Sequence, residues 1–242
     1  MGALDHAGLA VTREFDGYGS YVRTEGDYEA FRKSVSGTVR KALRRGTSKL
    51  KRMSDVAMEI SFGEEAQPEE LVRLAEIEAS SWKSRTGSSI KGDPDLLAFY
   101  KTLVKRLADA GWLEWCFLTG DGKTLAGQMS IRMAGSLVVW KVGYDEAYRK
   151  ASPGSVLLEQ RIKAAFESDQ IDEVNWMTYY GWHEPWRASR RSYYNVYVSP
   201  RRPLPLLFFV WPRQILNLLR RVPGARATAR RIKSLLGKET VS

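Results

Sequence analysis

The sequence predicts an α/β protein built on a mixed sheet, and three observations predict it. Val56–Phe62, Trp112–Thr119, Leu125–Met133 and Ser136–Tyr144 read as strands, bounded by turn residues. Between them, apolar residues recur at helical spacing. Ser136–Tyr144, a helix beginning at Ser155 and a strand at Asp172–Tyr180 form a strand–helix–strand crossover, which makes the last pair parallel beside an antiparallel meander. The chain has 242 residues, 43% of them hydrophobic, enough for one sizeable packed domain.

Met1–Asp16 shows no clear period and reads as a loose lead-in. Residues 1–35 are expected to be a lead-in segment, a remnant of a preceding domain, with a short strand at Tyr18–Val22 and a helical pattern opening at Asp27–Phe31. Ser34–Arg52 reads as a strongly basic helix with Val39, Leu43 and Leu50 on its apolar side. Val56–Phe62 alternates as a strand should. Pro68 starts the next helix in the favoured first-turn position, with Glu69 and Glu70 placed well against the dipole. Leu71, Leu74, Ala75, Glu78 and Trp82 follow at helical spacing, and 86–92 is a polar loop. Asp93-Pro94 opens a helix whose stripe is Leu96, Phe99/Tyr100, Leu103 and Leu107, stopped by Gly111. Trp112–Thr119, the Gly120–Lys123 turn, Leu125–Met133 and Ser136–Tyr144 then make a three-strand meander. The domain proper is expected over 36–200, with a separate tail at 201–242.

Charge is unevenly placed on a chain of net charge +10. Residues 201–242 hold ten basic side chains and one acidic; Arg32–Arg52 holds nine basic and none acidic, so the remainder is mildly acidic. Such asymmetry points to an anionic partner: membrane lipid, nucleic acid or a phosphorylated small molecule. The tail pairs its cations with the apolar run Leu204–Pro212, too short to span a bilayer but suited to lying on an anionic membrane surface. A helix packed back on the domain would use the same residues. The single cysteine, Cys116, excludes an internal disulfide framework. His6 and His183 are the only histidines, and no metal-type cluster is visible, so no metal is expected. No secretory signal opens the sequence, and a cytoplasmic protein, membrane-associated through the tail, is the expectation.

The chemistry concentrates at Asp145–Gly154. A helix entered through small residues presents unpaired backbone N–H groups, and with the helix dipole these make a site for phosphate. Gly154 permits close approach and Arg149 supplies charge. A capped strand–helix turn without a ligand would show the same local pattern.

Arg149-Lys150-Ala151-Ser152-Pro153-Gly154 resembles the R/Q-x-x-G-x-G/A loop of the GNAT acyltransferases, with Ser152 in place of the first glycine. The longer run Lys141–Tyr148 with Ser152–Gly154 is similar to the CelD/BcsL-type acetyltransferase domain, a branch related to the FemAB aminoacyl transferases. Ser81-Trp82-Lys83 also resembles that branch, and the likeness runs from about Arg40 to Trp186. The resemblance implies a central mixed sheet with helices on both faces and acetyl-CoA or another acyl-CoA as donor. It places the pantetheine arm along Trp140, Val142 and Tyr144, and the pyrophosphate at Ser152, Gly154, Ser155 and Val156 with Arg149 or Lys150. His183, Glu184, Tyr179 and Tyr180 are the acid–base candidates, His183 and Glu184 as a pair beyond the last strand. Trp82, Trp182 and Trp186 are candidate acceptor walls. The implied activity is transfer to an amine or hydroxyl of a cell-envelope polysaccharide or related acceptor. A FemAB-like aminoacyl transferase using tRNA and a non-catalytic adaptor are the alternatives.

Overall fold

The structure is a computed structural model, and it describes residues 9–80, 89–200 and 211. Trp82 and the tail at 201–210 and 212–242 lie outside the described residues, so the expectations placed on them are carried forward unchanged.

The chain divides into two compact units, residues 18–191 and residues 1–17 with 192–242. Seven strands hydrogen-bond in the order β2-β3-β4-β5-β6-β1-β7. They are β1 (Leu9–Arg23), β2 (Val56–Phe62), β3 (Leu113–Gly120), β4 (Lys123–Met133), β5 (Ser136–Tyr144), β6 (Glu173–Asn175) and β7 (Ser189–Pro200). In the smaller unit, Asn195 donates to the Asp16 carboxylate at 3.1 Å and Phe15 meets the Tyr194 ring edge-on.

In the larger unit, β2 to β5 form an antiparallel run of four strands. β5 then pairs with β6 in parallel, Ser136 to Val138 beside Glu173 to Asn175, and β6 pairs antiparallel with the end of β1. The helices are α1 (Tyr28–Ser34), α2 (Gly37–Met53), α3 (Leu71–Ala79), α4 (Pro94–Asp109) and α5 (Pro153–Phe166). Their starts follow capping chemistry. Asp27 accepts the Ala30 N–H, Ser36 that of Val39, and Asp93 those of Asp95 and Leu96.

The period of two divides the sheet's side chains. Trp115, Phe117 and Met129 pack with Leu71, Leu74 and Ile77 of α3 and Tyr100 and Val104 of α4. Cys116, Leu118 and Ala126 pack with Leu50 of α2 and Val156 and Leu157 of α5. Leu137, Val139 and Val174 meet Leu158 and Ile162 of α5, with Leu43 of α2. Helices therefore cover both faces, as predicted. Burial pushes the Cys116 thiol up to about 12, which keeps it an inert core group. Beneath α5, Arg161 makes a two-pronged ion pair with Glu114 of β3, at 2.7 and 2.8 Å, both side chains buried.

Several expectations need correcting. The lead-in is strand from Leu9 onward. Its charges and glycines hid the alternation that a two-sided core would have imposed. The meander has four antiparallel strands because β2, which precedes α3 and α4, joins β3. In α4 the predicted stripe holds: Tyr100 and Leu107 are buried and Leu96 and Leu103 pack on the same core, with Val104 added, while of the pair Phe99/Tyr100 it is Phe99 that faces out. The strand expected over Asp172–Tyr180 is regular only over Glu173–Asn175, where its pairing with β5 stops, although Trp176 and Thr178 still bond the Ser20 backbone of β1. Met177 takes a left-handed backbone (φ 54°) and its N–H turns to the Asn175 side chain, which ends the ladder. Among the described residues, no helix is long and apolar enough to cross a membrane.

Candidate functional site

The early end of β6 creates the site. β5 runs on through Trp140 to Tyr144 while the other chain leaves the ladder, and a cleft of about 890 Å³ opens between them. Its walls are Trp140, Lys141, Val142 and Tyr144 of β5, Gly154, Ser155 and Leu158 of α5, and Trp176, Met177, Thr178, Tyr180, Trp182 and His183. A bulge at Trp140, where the β4–β5 register shifts, turns successive β5 side chains onto the two sides of the strand. Val142 and Tyr144 face Gly154 of α5. The Lys141 and Gly143 positions face α3, where Gly143 packs on Leu74, Ile77 and Glu78.

The predicted donor residues divide in two. Trp140, Val142, Tyr144, Gly154 and Ser155 line the cleft together. Ser152 and Val156 line an adjoining cleft of about 350 Å³ between α2 and α5, shared with Ser155, Trp182 and Trp186. Arg149 is 73% exposed and pairs with Glu146 at 3.4 Å; it and Lys150 lie outside the cleft lining, toward solvent. Ser152 is left-handed (φ 50°, ψ 53°) and caps α5. That backbone explains why glycine suits this place in the resembling loop, since a side chain there costs about 1–2 kcal/mol. α5 begins at Pro153, two residues earlier than predicted, and the Ser155 and Val156 N–H groups both turn back to the Ser152 carbonyl. The helix start is thus its own first turn, and Gly154 is its open position toward Tyr144 and Val142.

The acid–base candidates also divide. Tyr180 and His183 line the cleft; Tyr179 and Glu184 do not. The Glu184 carboxylate and the Tyr179 hydroxyl are joined to Arg190 in an exposed cluster. The predicted His183–Glu184 pair is therefore not formed, because consecutive residues of the 3₁₀ turn Gly181–Trp186 point in different directions.

His183 is 1% exposed, stacked on Trp176 and met edge-on by Trp182. Its Nδ1 lies 3.0 Å from the Ser20 hydroxyl and accepts the Tyr180 N–H at 3.2 Å. The ring proton then belongs on Nε2, which has no partner among the described residues. Burial pushes the imidazole down to about 4, so it is neutral at pH 7. This geometry makes His183 a neutral N–H donor in the cleft wall rather than a base. The unfolded chain takes up this proton first, from the ordinary 6.5, so stability is full above that pH and declines as pH falls through about 4. His183→Gln is expected to flatten the decline, read by urea unfolding at pH 7.0 and 4.5.

Sequence reasoning missed one pair. Lys141 is 14% exposed along its side chain, and its Nζ lies 3.1 Å from Glu78 of α3, which is fully buried. The other Glu78 oxygen accepts the Ile90 N–H at 3.0 Å, and the ammonium sits 4.9 Å from the Tyr100 ring centre. The signal was present: Glu78 falls at a core position of an apolar helical stripe.

The donor set suits an acyl-CoA in shape and chemistry. The cleft is mainly apolar, has β5 along one wall, and meets a helix start at Gly154. Among the described residues, no group of side chains could hold a metal ion.

The comparisons agree with the fold. Residues 37–187 match the family model described as an acetyltransferase (GNAT) domain. No curated protein sequence matches the chain. Among solved structures, that of FemX is similar at 12% identity and a TM-score of 0.63, over 84% of this chain and 69% of that one. L-PGS from Bacillus licheniformis is similar at 16% identity and 0.52, over 86% and 67%. The C-terminal domain of a putative lysylphosphatidylglycerol synthetase from Agrobacterium fabrum is similar at 11% and 0.50, over 89% and 69%. At these identities the likeness is one of fold. With the family model covering most of the larger unit, and the cleft opening between β5 and β6 at the start of α5, the chain belongs to the GNAT acetyltransferase family.

Proposed function

We propose that the protein transfers an acyl group, acetyl by preference, from an acyl-CoA thioester to an amine or hydroxyl of a cell-envelope polysaccharide or related acceptor. The observation that carries the donor is the parting of β5 and β6 into a cleft that ends at Gly154. The β5 wall at Trp140, Val142 and Tyr144 gives the pantetheine arm a largely apolar track toward Gly154. The pyrophosphate lies at Gly154, the open position of the α5 start, with Arg149 and Lys150 adding charge from solvent. It is held by the helix dipole rather than by the Ser155 and Val156 N–H groups, which bond the Ser152 carbonyl. The polysaccharide acceptor is supported by the CelD/BcsL-like motif run, and by the Trp140, Tyr180 and Trp182 rings left exposed in the cleft, which suit the apolar faces of a sugar. The tail at 201–242 would add reversible attachment to an anionic membrane.

A second reading, an aminoacyl transferase using charged tRNA, is favoured by α2, which exposes Arg40, Lys41, Arg44, Arg45 and Lys49 and has no acidic residue. Thermal unfolding with acetyl-CoA, longer acyl-CoAs and tRNA separates the two, because only a ligand of the folded state raises the midpoint. Acetyl-CoA at 100 times its Kd is expected to add about 2.7 kcal/mol. A rise with tRNA and none with any CoA would overturn the acyl-CoA reading.

A further inference from the structure

Among the described residues that line the cleft, Lys141 is the one charged side chain, and none is a carboxylate. A transfer from a thioester needs two proton movements. The attacking amine or hydroxyl must lose a proton, and the departing thiolate must gain one. Of the groups expected to do this, Tyr180 lines the cleft as a largely exposed ring, and the others are badly placed. Glu184 and Tyr179 are tied to Arg190 outside the cleft. The His183 lone pair is turned to the Tyr180 amide.

Lys141 is placed differently. Its ammonium is fixed from behind by a buried carboxylate and rests on the Tyr100 ring. Burying such a pair costs desolvation that its attraction repays poorly, so the arrangement is weak evidence for stability. An ammonium has three donors, and Glu78 occupies one. Lys141 also adjoins the Trp140 bulge, the extra residue that shifts the alternation of β5 by one and sets Lys141 on the α3 side.

We propose that Lys141 is the catalytic acid and base of the transfer, and that Glu78 is its positioning residue. The proposal rests on the acyl-CoA reading above. In the step, the acceptor's nitrogen or oxygen forms a bond to the thioester carbon. As the C–S bond breaks, its electron pair leaves with sulfur, and the Lys141 ammonium gives a proton to that thiolate. The resulting neutral amine takes the proton released by the acceptor, so Lys141 ends the cycle as ammonium. Nothing is oxidised or reduced, and no further reactant is needed. Glu78 holds the ammonium in place through the cycle. The groups facing Nζ among the described residues are Glu78 from α3 and Tyr100 from α4.

The test uses the full chain, acetyl-CoA, and hydroxylamine as probe acceptor, with thiol release as the rate. Lys141→Met keeps length and apolar bulk. It is expected to lower kcat roughly 10²–10⁴-fold with acetyl-CoA affinity by calorimetry nearly unchanged. Lys141→Arg, which cannot give up its proton at neutral pH, is expected not to rescue it. Glu78→Gln removes the countercharge, so the alkaline limb of the kcat profile is expected to move to lower pH. The Lys141 side-chain carbon resonance should titrate earlier in the same variant, a readout independent of turnover. Failure of the wild-type chain to bind acetyl-CoA would sink the donor reading. Binding with normal turnover in Lys141→Met, binding with no thiol release by the wild type, or an unmoved Lys141 titration in Glu78→Gln would overturn this proposal alone.

Discussion

Gly154→Glu is expected to lower acetyl-CoA affinity at least about 100-fold, close to 3 kcal/mol, without unfolding the chain. A Cβ at Gly154 would meet the Tyr144 ring at 3.6 Å and Val142 at 4.0 Å, both ordinary contacts, and the backbone there is not left-handed. The fold therefore admits a side chain. The rest of a glutamate then enters the space between Tyr144, Val142 and the start of α5, with a negative charge where the pyrophosphate is proposed to lie. Gly154→Ala serves as the control and should lose far less. Calorimetry measures both. Unchanged affinity in Gly154→Glu would move the donor out of this end of the cleft.

The second large effect concerns stability. Arg161→Met leaves the Glu114 carboxylate buried beneath α5 with only Arg132, 3.7 Å away, to compensate it. Removing one partner of a buried pair costs on the order of 3–5 kcal/mol. For a chain of this size that lowers the melting midpoint by roughly 10 °C. Adding Glu114→Leu removes the stranded charge and should restore much of the loss, because an apolar pair of similar volume fills the same space between α5 and β3. Unfolding by heat or urea in the two single variants and the double variant gives the coupling directly. A double variant no more stable than Arg161→Met would mean that packing, not the stranded charge, sets the cost.

Periodicity made most of the larger unit legible. The apolar residues of α2 and α3 lie one and two turns apart on one face, and β3 to β5 form hairpins with clear turns. The end of the cleft at α5 was legible for a related reason: Gly154 and Ser155 follow a strand and open a helix. What escaped was whatever depends on partners distant in sequence. Glu114 and Arg161 are 47 positions apart, and each alone reads as a solvated charge. Lys141 and Glu78 belong to different elements and reveal themselves only when β5 packs on α3. The length of β6 was misread because Trp176, Met177 and Tyr179 look like strand residues. A local hydrogen bond from the Met177 N–H to Asn175 decides otherwise.

The extra residue at Trp140 has a consequence for what an insertion or deletion would do. It shifts the β4–β5 register by one, so Val139 packs with Leu158 of α5 before the bulge, and Val142 and Tyr144 meet Gly154 of α5 after it. Lys141 meets Glu78 of α3 on the opposite face. Because the strand's side chains alternate with a period of two, deleting one residue here would exchange the two sets and turn the lysine toward α5. One inserted residue therefore decides both which wall of the cleft is apolar and where its charge sits.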